Sequence, residues 1–180
     1  MVPKGELLMN HSVKLSAFVL TTLFTAVGAS AAVNKTANIA VTANISPACT
    51  ITATPLAFGT YDPLGVNATV ALSMSSAVSI QCVDELPAVV TLDEGINKDS
   101  ASTPITPVRR MQCLDNDQEF LNYSLFQDAA HTKAWGTGAN QFAFTSDGLA
   151  HDYVVYGQIP AGQVLEDGGF SDTIVATLTY

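Results

Sequence analysis

Basic residues are scarce in this chain: 7 Lys and Arg stand against 16 Asp and Glu, a formal net charge of −9. Nucleic acid and anionic membranes draw their affinity from neutralisation by Lys and Arg, so both are disfavoured as partners. Histidine is rarer still, at 3 residues, and neither His131 nor His151 stands at metal-ligand spacing from a cysteine or a second histidine. The run Asp115 to Glu119 opens like a calcium loop, but Phe120 stands where the turn glycine belongs and no bidentate Glu follows at the required position. No metal is expected. There is no Gly-x-Ser-x-Gly elbow and no Cys/His nucleophile pair, and the carboxylate doublets sit in turn-like segments, so neither an enzyme nor a small-molecule cofactor is expected. Long helical stripes are also missing, because no i, i+3, i+4 pattern continues beyond a turn or two.

What is present begins with export grammar. Lys4 and Lys14 precede the apolar run Ala17 to Val27, and Ala29-Ser30-Ala31 supplies a small-residue cleavage site, so residues 1–31 read as a cleaved signal peptide. The run is shorter than the ~20 apolar residues of a membrane-spanning helix, and Thr21, Thr22 and Thr25 interrupt it. Met9 offers a second start with a more ordinary signal length. Cleavage leaves residues 32–180, one domain's worth of chain, which keeps 5 basic and 15 acidic residues. The acidic residues are scattered through turns and read as a solvated surface.

Three cysteines remain in that exported part. In an oxidising compartment a pair is expected to join. Cys49 and Cys82 each lie in an alternating apolar segment, where two adjacent strands are open to stapling; closing that loop is worth about 3.8 kcal/mol in the chain-entropy model. Cys113, in a polar segment, reads as a leftover thiol, with an intermolecular disulfide as the alternative.

Period-two alternation recurs throughout, punctuated by turn signals such as Asp62-Pro63-Leu64-Gly65, Asp93-Glu94-Gly95 and Asp167-Gly168-Gly169, so the chain is all-β and of sandwich or barrel type. Strands are expected over Ala37–Ile45, Ala48–Ala53, Val66–Leu72, Ala77–Cys82, Ala88–Asp93, Phe120–Gln127, Gln141–Thr145, Tyr153–Ile159 and Ser171–Tyr180. Pro104 and Pro107 mark Asp99–Arg110 as the longest loop. Trp135 and Tyr123 read as packing residues rather than a sugar platform. At the start of the exported chain, Ile39, Val41, Ala43 and Ile45 share one face of a strand. At its finish, Phe170, Ile174, Ala176, Leu178 and Tyr180 share another, with no strand after them. An apolar terminal strand without a successor leaves an edge on which another chain can dock. The first strand either pairs within its own domain or fills such an edge elsewhere.

Six segments in order carry a resemblance. They are Thr54–Gly65 (TPLAFGTYDPLG), Ser79–Cys82 (SIQC), Val90–Gly95 (VTLDEG), Leu121–Asp128 (LNYSLFQD) with Trp135-Gly136, Val155–Gln163 (VYGQIPAGQ), and the ending Phe170–Tyr180. By these the chain resembles the spore coat U domain proteins, which include subunits of archaic chaperone-usher pili of the Csu type. The resemblance implies an incomplete immunoglobulin-like β-sandwich that lacks its final strand, with residues 32–46 as an N-terminal donor strand and 47–180 as the pilin domain. It implies a structural shaft or adaptor subunit that polymerises by donor-strand exchange, a form of β-strand addition, and supports surface attachment and biofilm formation. The implied partners are a periplasmic chaperone, an outer-membrane usher and neighbouring subunits, on a route through the periplasm to the cell surface. The donor plugs would be Ile39, Val41, Ala43 and Ile45, with Ala37 a weaker outer one. The acceptor groove and chaperone contact would be lined by Cys49 and Ile51 and by Ile174, Ala176, Leu178 and Tyr180. The family also pairs the cysteines that align with Cys49 and Cys82. A secreted coat or binding module of the same fold that never polymerises is the alternative. The chain departs from the family where Arg109-Arg110-Met111 leads into Gln112-Cys113 and an acidic run instead of small residues.

Overall fold

The computed structural model describes residues 32–45 and 48–180, so the leader read over 1–31 lies outside the described residues. The chain divides into a unit ending at Thr42 and a domain of Ala43–Tyr180. Within the first unit, residues 32–42 carry no regular secondary structure, and Ile39 and Val41 are 87% and 89% exposed. Alternation alone does not make a strand, because its main-chain groups need a ladder partner.

The domain is built from β1 (Cys49–Ala53), β2 (Leu72–Cys82), β3 (Pro87–Leu92), β4 (Arg109–Cys113), β5 (Phe120–Phe126), β6 (Phe142–Thr145), β7 (Ala150–Ile159), β8 (Phe170–Ser171) and β9 (Ala176–Thr179). One six-stranded sheet runs β1-β2-β7-β5-β4-β8, and a three-stranded sheet runs β6-β3-β9. Period-two alternation sends Val78, Ile80 and Cys82 of β2, Ala88, Val90 and Leu92 of β3, Leu121, Tyr123 and Leu125 of β5, and Val155 and Ile159 of β7 inward to near-complete burial. Trp135 is 1% exposed and its indole N–H donates to the Val90 carbonyl, which makes it the packing residue the sequence indicates. Cys49 faces Cys82 in the β1–β2 ladder and the two form a disulfide.

Three expectations are corrected. No strand forms over Val66–Leu72: residues Val66–Ala68 make a 3-10 turn and β2 begins at Leu72. Buried Asn67 is the cause, since its side chain accepts from the Asp62 N–H and donates to the Val70 carbonyl, knotting the loop. The long loop ends at Val108, because Arg109–Cys113 is a strand paired with β5 and β8. Cys113 is therefore a buried, free thiol on that strand and not part of a polar surface segment. The final strand is split: β8 pairs with β4, the chain then crosses between sheets at Asp172–Val175, and β9 pairs with β3.

Candidate functional site

The first and last strands of the domain both end their sheets. β1 pairs with β2 alone, and β9 with β3 alone. Antiparallel pairing turns the N–H and C=O of alternate residues toward the partner. The Thr54 N–H donates to Ala77 and the Ala48 carbonyl accepts from Val83, so the even-numbered residues of β1 face β2 and Cys49, Ile51 and Ala53 aim their main-chain groups away. On the other side the Val175 carbonyl accepts from the Asp93 N–H, so Thr177 and Thr179 face β3 while Ala176 and Leu178 aim theirs outward. The side chains of Cys49, Ile51, Ala176 and Leu178 meanwhile pack against the core. Two edges thus present open main-chain groups beside inward apolar side chains.

A cavity of about 450 Å³ lies between them. Ala53, Leu56 and Phe58 line one wall, Phe170, Ile174 and Ala176 the other, and Leu92, Leu125 and Val155 the floor. The first wall packs over Gly157 of β7: a Cβ there would stand 2.6 Å from Leu56 Cδ2 and 2.7 Å from Phe58 Cζ, so these two side chains occupy the space that a larger residue at 157 would make them leave. The second wall is hung on carboxylates. Asp93 Oδ1 accepts from the Gly95 and Val175 N–H groups, each at 3.0 Å. The Tyr123 hydroxyl donates to Asp172 Oδ2 at 2.7 Å, and Asp172 Oδ1 accepts from the Asn97 N–H. Burial, then the bond to Asp172, pushes the Tyr123 hydroxyl well above the usual tyrosine range.

Arg109 ties the wall to the core. It is 2% exposed, and its guanidinium donates to the carbonyls of Leu92, Asp93 and Trp135 at 2.5–3.1 Å. Burial lowers its pKa, and the fan of carbonyls supplies what water would. The arginine that breaks the hydropathy of β4 is therefore the clamp joining β4 to the end of β3, beside which β9 runs.

Of the residues expected in the groove, Ile174 and Ala176 line the cavity, Cys49, Ile51 and Leu178 pack on the same core along the two edges, and Tyr180 is 56% exposed. Sequence reasoning set Phe170 on the apolar face of the last segment without assigning it to the groove, and it missed Leu56, Phe58, Met111 and the clamp Arg109. The motif Thr54–Gly65 and the glycine of Val155–Gln163 held the signal for the first two, since Gly157 receives them both.

Over residues 35–177 the chain matches the family model of the Spore Coat Protein U domain. The chain belongs to the spore coat protein U domain family. The match begins inside the N-terminal segment, so the family unit includes part of it. Among curated proteins, Protein U of Myxococcus xanthus is 35% identical over 173 residues, covering 92% of this chain and 96% of that protein. Among solved structures, the fold is similar to the CsuC–CsuE chaperone–tip adhesion subunit pre-assembly complex from archaic chaperone-usher Csu pili of Acinetobacter baumannii, at TM-score 0.54 and 19% identity. That likeness covers 76% of this chain and 40% of the other, so this chain spans less than half of the solved one. This member of the family therefore has the immunoglobulin-like fold of chaperone-usher pilus subunits, all-β and open between β1 and β9. The names its relatives carry are of coat and pilus proteins and not of enzymes.

Proposed function

We propose that this protein is a structural subunit, shaft or adaptor, of an archaic chaperone-usher pilus that polymerises by donor-strand exchange. A periplasmic chaperone covers the cleft until an outer-membrane usher passes the subunit to the cell surface, where the pilus serves attachment and biofilm formation. One observation carries the reading: the cleft is walled by two strand edges with outward main-chain groups, and the chain also holds an alternating segment whose Ile39, Val41 and Ile45 are 87%, 89% and 93% exposed. A strand entering the cleft satisfies both edges and buries its apolar face, at about 1.5–3 kcal/mol per Ile or Val. The donor face would be Ala37, Ile39, Val41, Ala43 and Ile45, and the acceptor face Ile51, Ile174, Ala176, Leu178 and Tyr180.

The test is the domain from Ala48 onward, with and without a synthetic peptide of residues 33–45. The expected outcome is a chaperone-dependent domain whose thermal midpoint rises when the peptide is added. A stand-alone coat module is the second reading, suggested by the name of the Spore Coat Protein U domain that residues 35–177 match. It predicts a truncated domain that unfolds cooperatively by itself and ignores the peptide, a result that would sink the pilus reading.

A further inference from the structure

We propose that a second cavity, behind the wall of Leu56 and Phe58, binds a single-chain amphiphile whose head is a quaternary ammonium or similarly alkylated amine. The cavity holds about 810 Å³ and lies between the loop of residues 56–64 and that of residues 163–170. None of its lining residues belongs to β1, β2, β3 or β9, so it is distinct from the cleft that the two strand edges frame. Leu56, Phe58, Met111 and Phe170 touch both spaces and form the partition. Hydrogen bonds pin the walls. The Tyr61 hydroxyl donates to the Pro160 carbonyl at 2.9 Å and accepts from the Gln163 N–H at 3.0 Å, which joins one loop to the other. The Gln163 side chain accepts from the Asn122 N–H and donates to the Asn122 carbonyl, fastening the second loop to β5. Farther along that loop, the Gly169 carbonyl accepts from the Leu114 N–H just beyond β4. Protein interiors pack without voids of this size, so two loops held apart around one make a pre-formed binding space.

The lining sets the ligand's chemistry. Leu121, Ile159 and Leu165 suit an alkyl chain, and Phe58, Tyr61 and Phe170 add aromatic rings whose faces attract a cation. No Lys, Arg or His lines the cavity, whereas Glu166 and Asp167 do, and both are exposed. Glu119 stands with them, because its Oε2 accepts from the Glu166 N–H. Carboxylates at the mouth of an apolar, aromatic space repel fatty acids and other anionic amphiphiles and draw in a cationic head. A bare ammonium is strongly hydrated and gives up that hydration on entry, while an alkylated one keeps little water and gains from the rings. The occupant is a free molecule and not a bilayer lipid, since seating the mouth on a membrane would desolvate the same carboxylates.

The experiment is isothermal titration calorimetry of the chain beginning at Ala32 with alkyltrimethylammonium ions below their micelle concentrations. Decyltrimethylammonium should bind at a single site per chain, roughly tenfold more tightly than decyl sulfate. Shortening the decyl chain to octyl should weaken binding about fifteenfold, as the loss of two buried methylenes implies. Glu166→Gln with Asp167→Asn should abolish the preference for the cation and leave the thermal midpoint unmoved, because both side chains are exposed. Asp84→Asn with Glu85→Gln removes the same charge from the turn at the far end of β2 and should change nothing, which separates the site from the chain's general negative charge. Ala57→Trp fills the cavity from an exposed position in its lining and should weaken binding roughly tenfold or more. Binding should persist in excess peptide 33–45, because a strand in the cleft leaves this space free. The proposal is overturned if the two decyl ions bind alike or if the two pairs of acidic substitutions have equal effects. It is overturned too if the chain is retained on phosphatidylcholine vesicles yet ignores free decyltrimethylammonium. Competition between peptide and amphiphile would also overturn it, by placing the amphiphile in the cleft, and would leave the donor-strand reading standing. Amphiphile binding with no response to peptide upholds the cavity and counts against the donor-strand reading alone.

Discussion

Arg109→Met tests whether the clamp behind the cleft holds it. The substitution keeps an unbranched apolar stem in a site that is 2% exposed, and removes the donors that serve the carbonyls of Leu92, Asp93 and Trp135. Hydrogen bonds to a charged group contribute about 1.5–3 kcal/mol each, and a buried acceptor left unsatisfied costs about 1–3 kcal/mol. Against this stands the relief of no longer burying a guanidinium, worth several kcal/mol. The balance is a loss of about 4 kcal/mol. For a domain of this size that lowers the thermal midpoint by about 12–16 °C. The assay is thermal unfolding of the mature chain followed by fluorescence of its 1 tryptophan, Trp135, whose own carbonyl is one of the three acceptors. Arg109→Lys keeps the charge but brings a single nitrogen to a three-carbonyl fork, so it should recover less than half of the loss. Because Leu92 and Asp93 brace β9 and the chain entering it, the Met variant should also bind the donor peptide more weakly. A midpoint within about 2 °C of the native protein, with unchanged peptide affinity, would refute the clamp.

Two further outcomes follow from the same walls. Gly157→Val drives a side chain into Leu56 and Phe58, whose atoms stand 2.6–2.7 Å from the new Cβ, and should cost about 1–3 kcal/mol, read by denaturant unfolding, while Tyr156→Val next to it should cost less. Tyr123 carries a hydroxyl whose folded-state pKa is raised by burial and by Asp172, so the folded state holds its proton where the unfolded chain gives it up. Stability from this group is full below about pH 10 and falls as pH rises above it, with a slope of up to about 1.4 kcal/mol per pH unit. Alkaline titration of stability should show that fall in the native protein and a shallower one in Tyr123→Phe; equal slopes would contradict it.

The strands that formed where expected are those whose inward residues are all apolar, such as β5 with Leu121, Tyr123 and Leu125, and β3 with Ala88, Val90 and Leu92. β4 escaped because its inward positions are Arg109, Met111 and Cys113, and an inward arginine breaks the hydropathy signal that period-two reasoning uses. Val66, Ala68 and Val70 alternate like a strand, but Asn67 between them is satisfied by local main-chain groups, and a side chain that bonds its own loop competes with a ladder. The last segment reads as one strand because Phe170, Asp172, Ile174, Ala176 and Leu178 all stay on the inward side while the chain leaves one sheet for the other. Inward alternation records burial, and it does not record which sheet supplies the partner. The edges of the cleft were legible for the same reason, whereas its wall of Leu56 and Phe58 depends on the absence of a side chain at Gly157, 99 residues beyond Phe58 in sequence.

The central claim is that a strand from another copy completes the gap between β1 and β9, and amide hydrogen exchange measures this at the atoms concerned. In the domain beginning at Ala48, the N–H groups of Ala176 and Leu178 should exchange quickly, because they point away from β3. Addition of the peptide of residues 33–45 should slow both by about a hundredfold or more, as ladder formation requires, with Ile51 and Ala53 slowing alongside them. The account is contradicted if these amides are already protected in the truncated domain, or if they stay fast at peptide concentrations that saturate any other change.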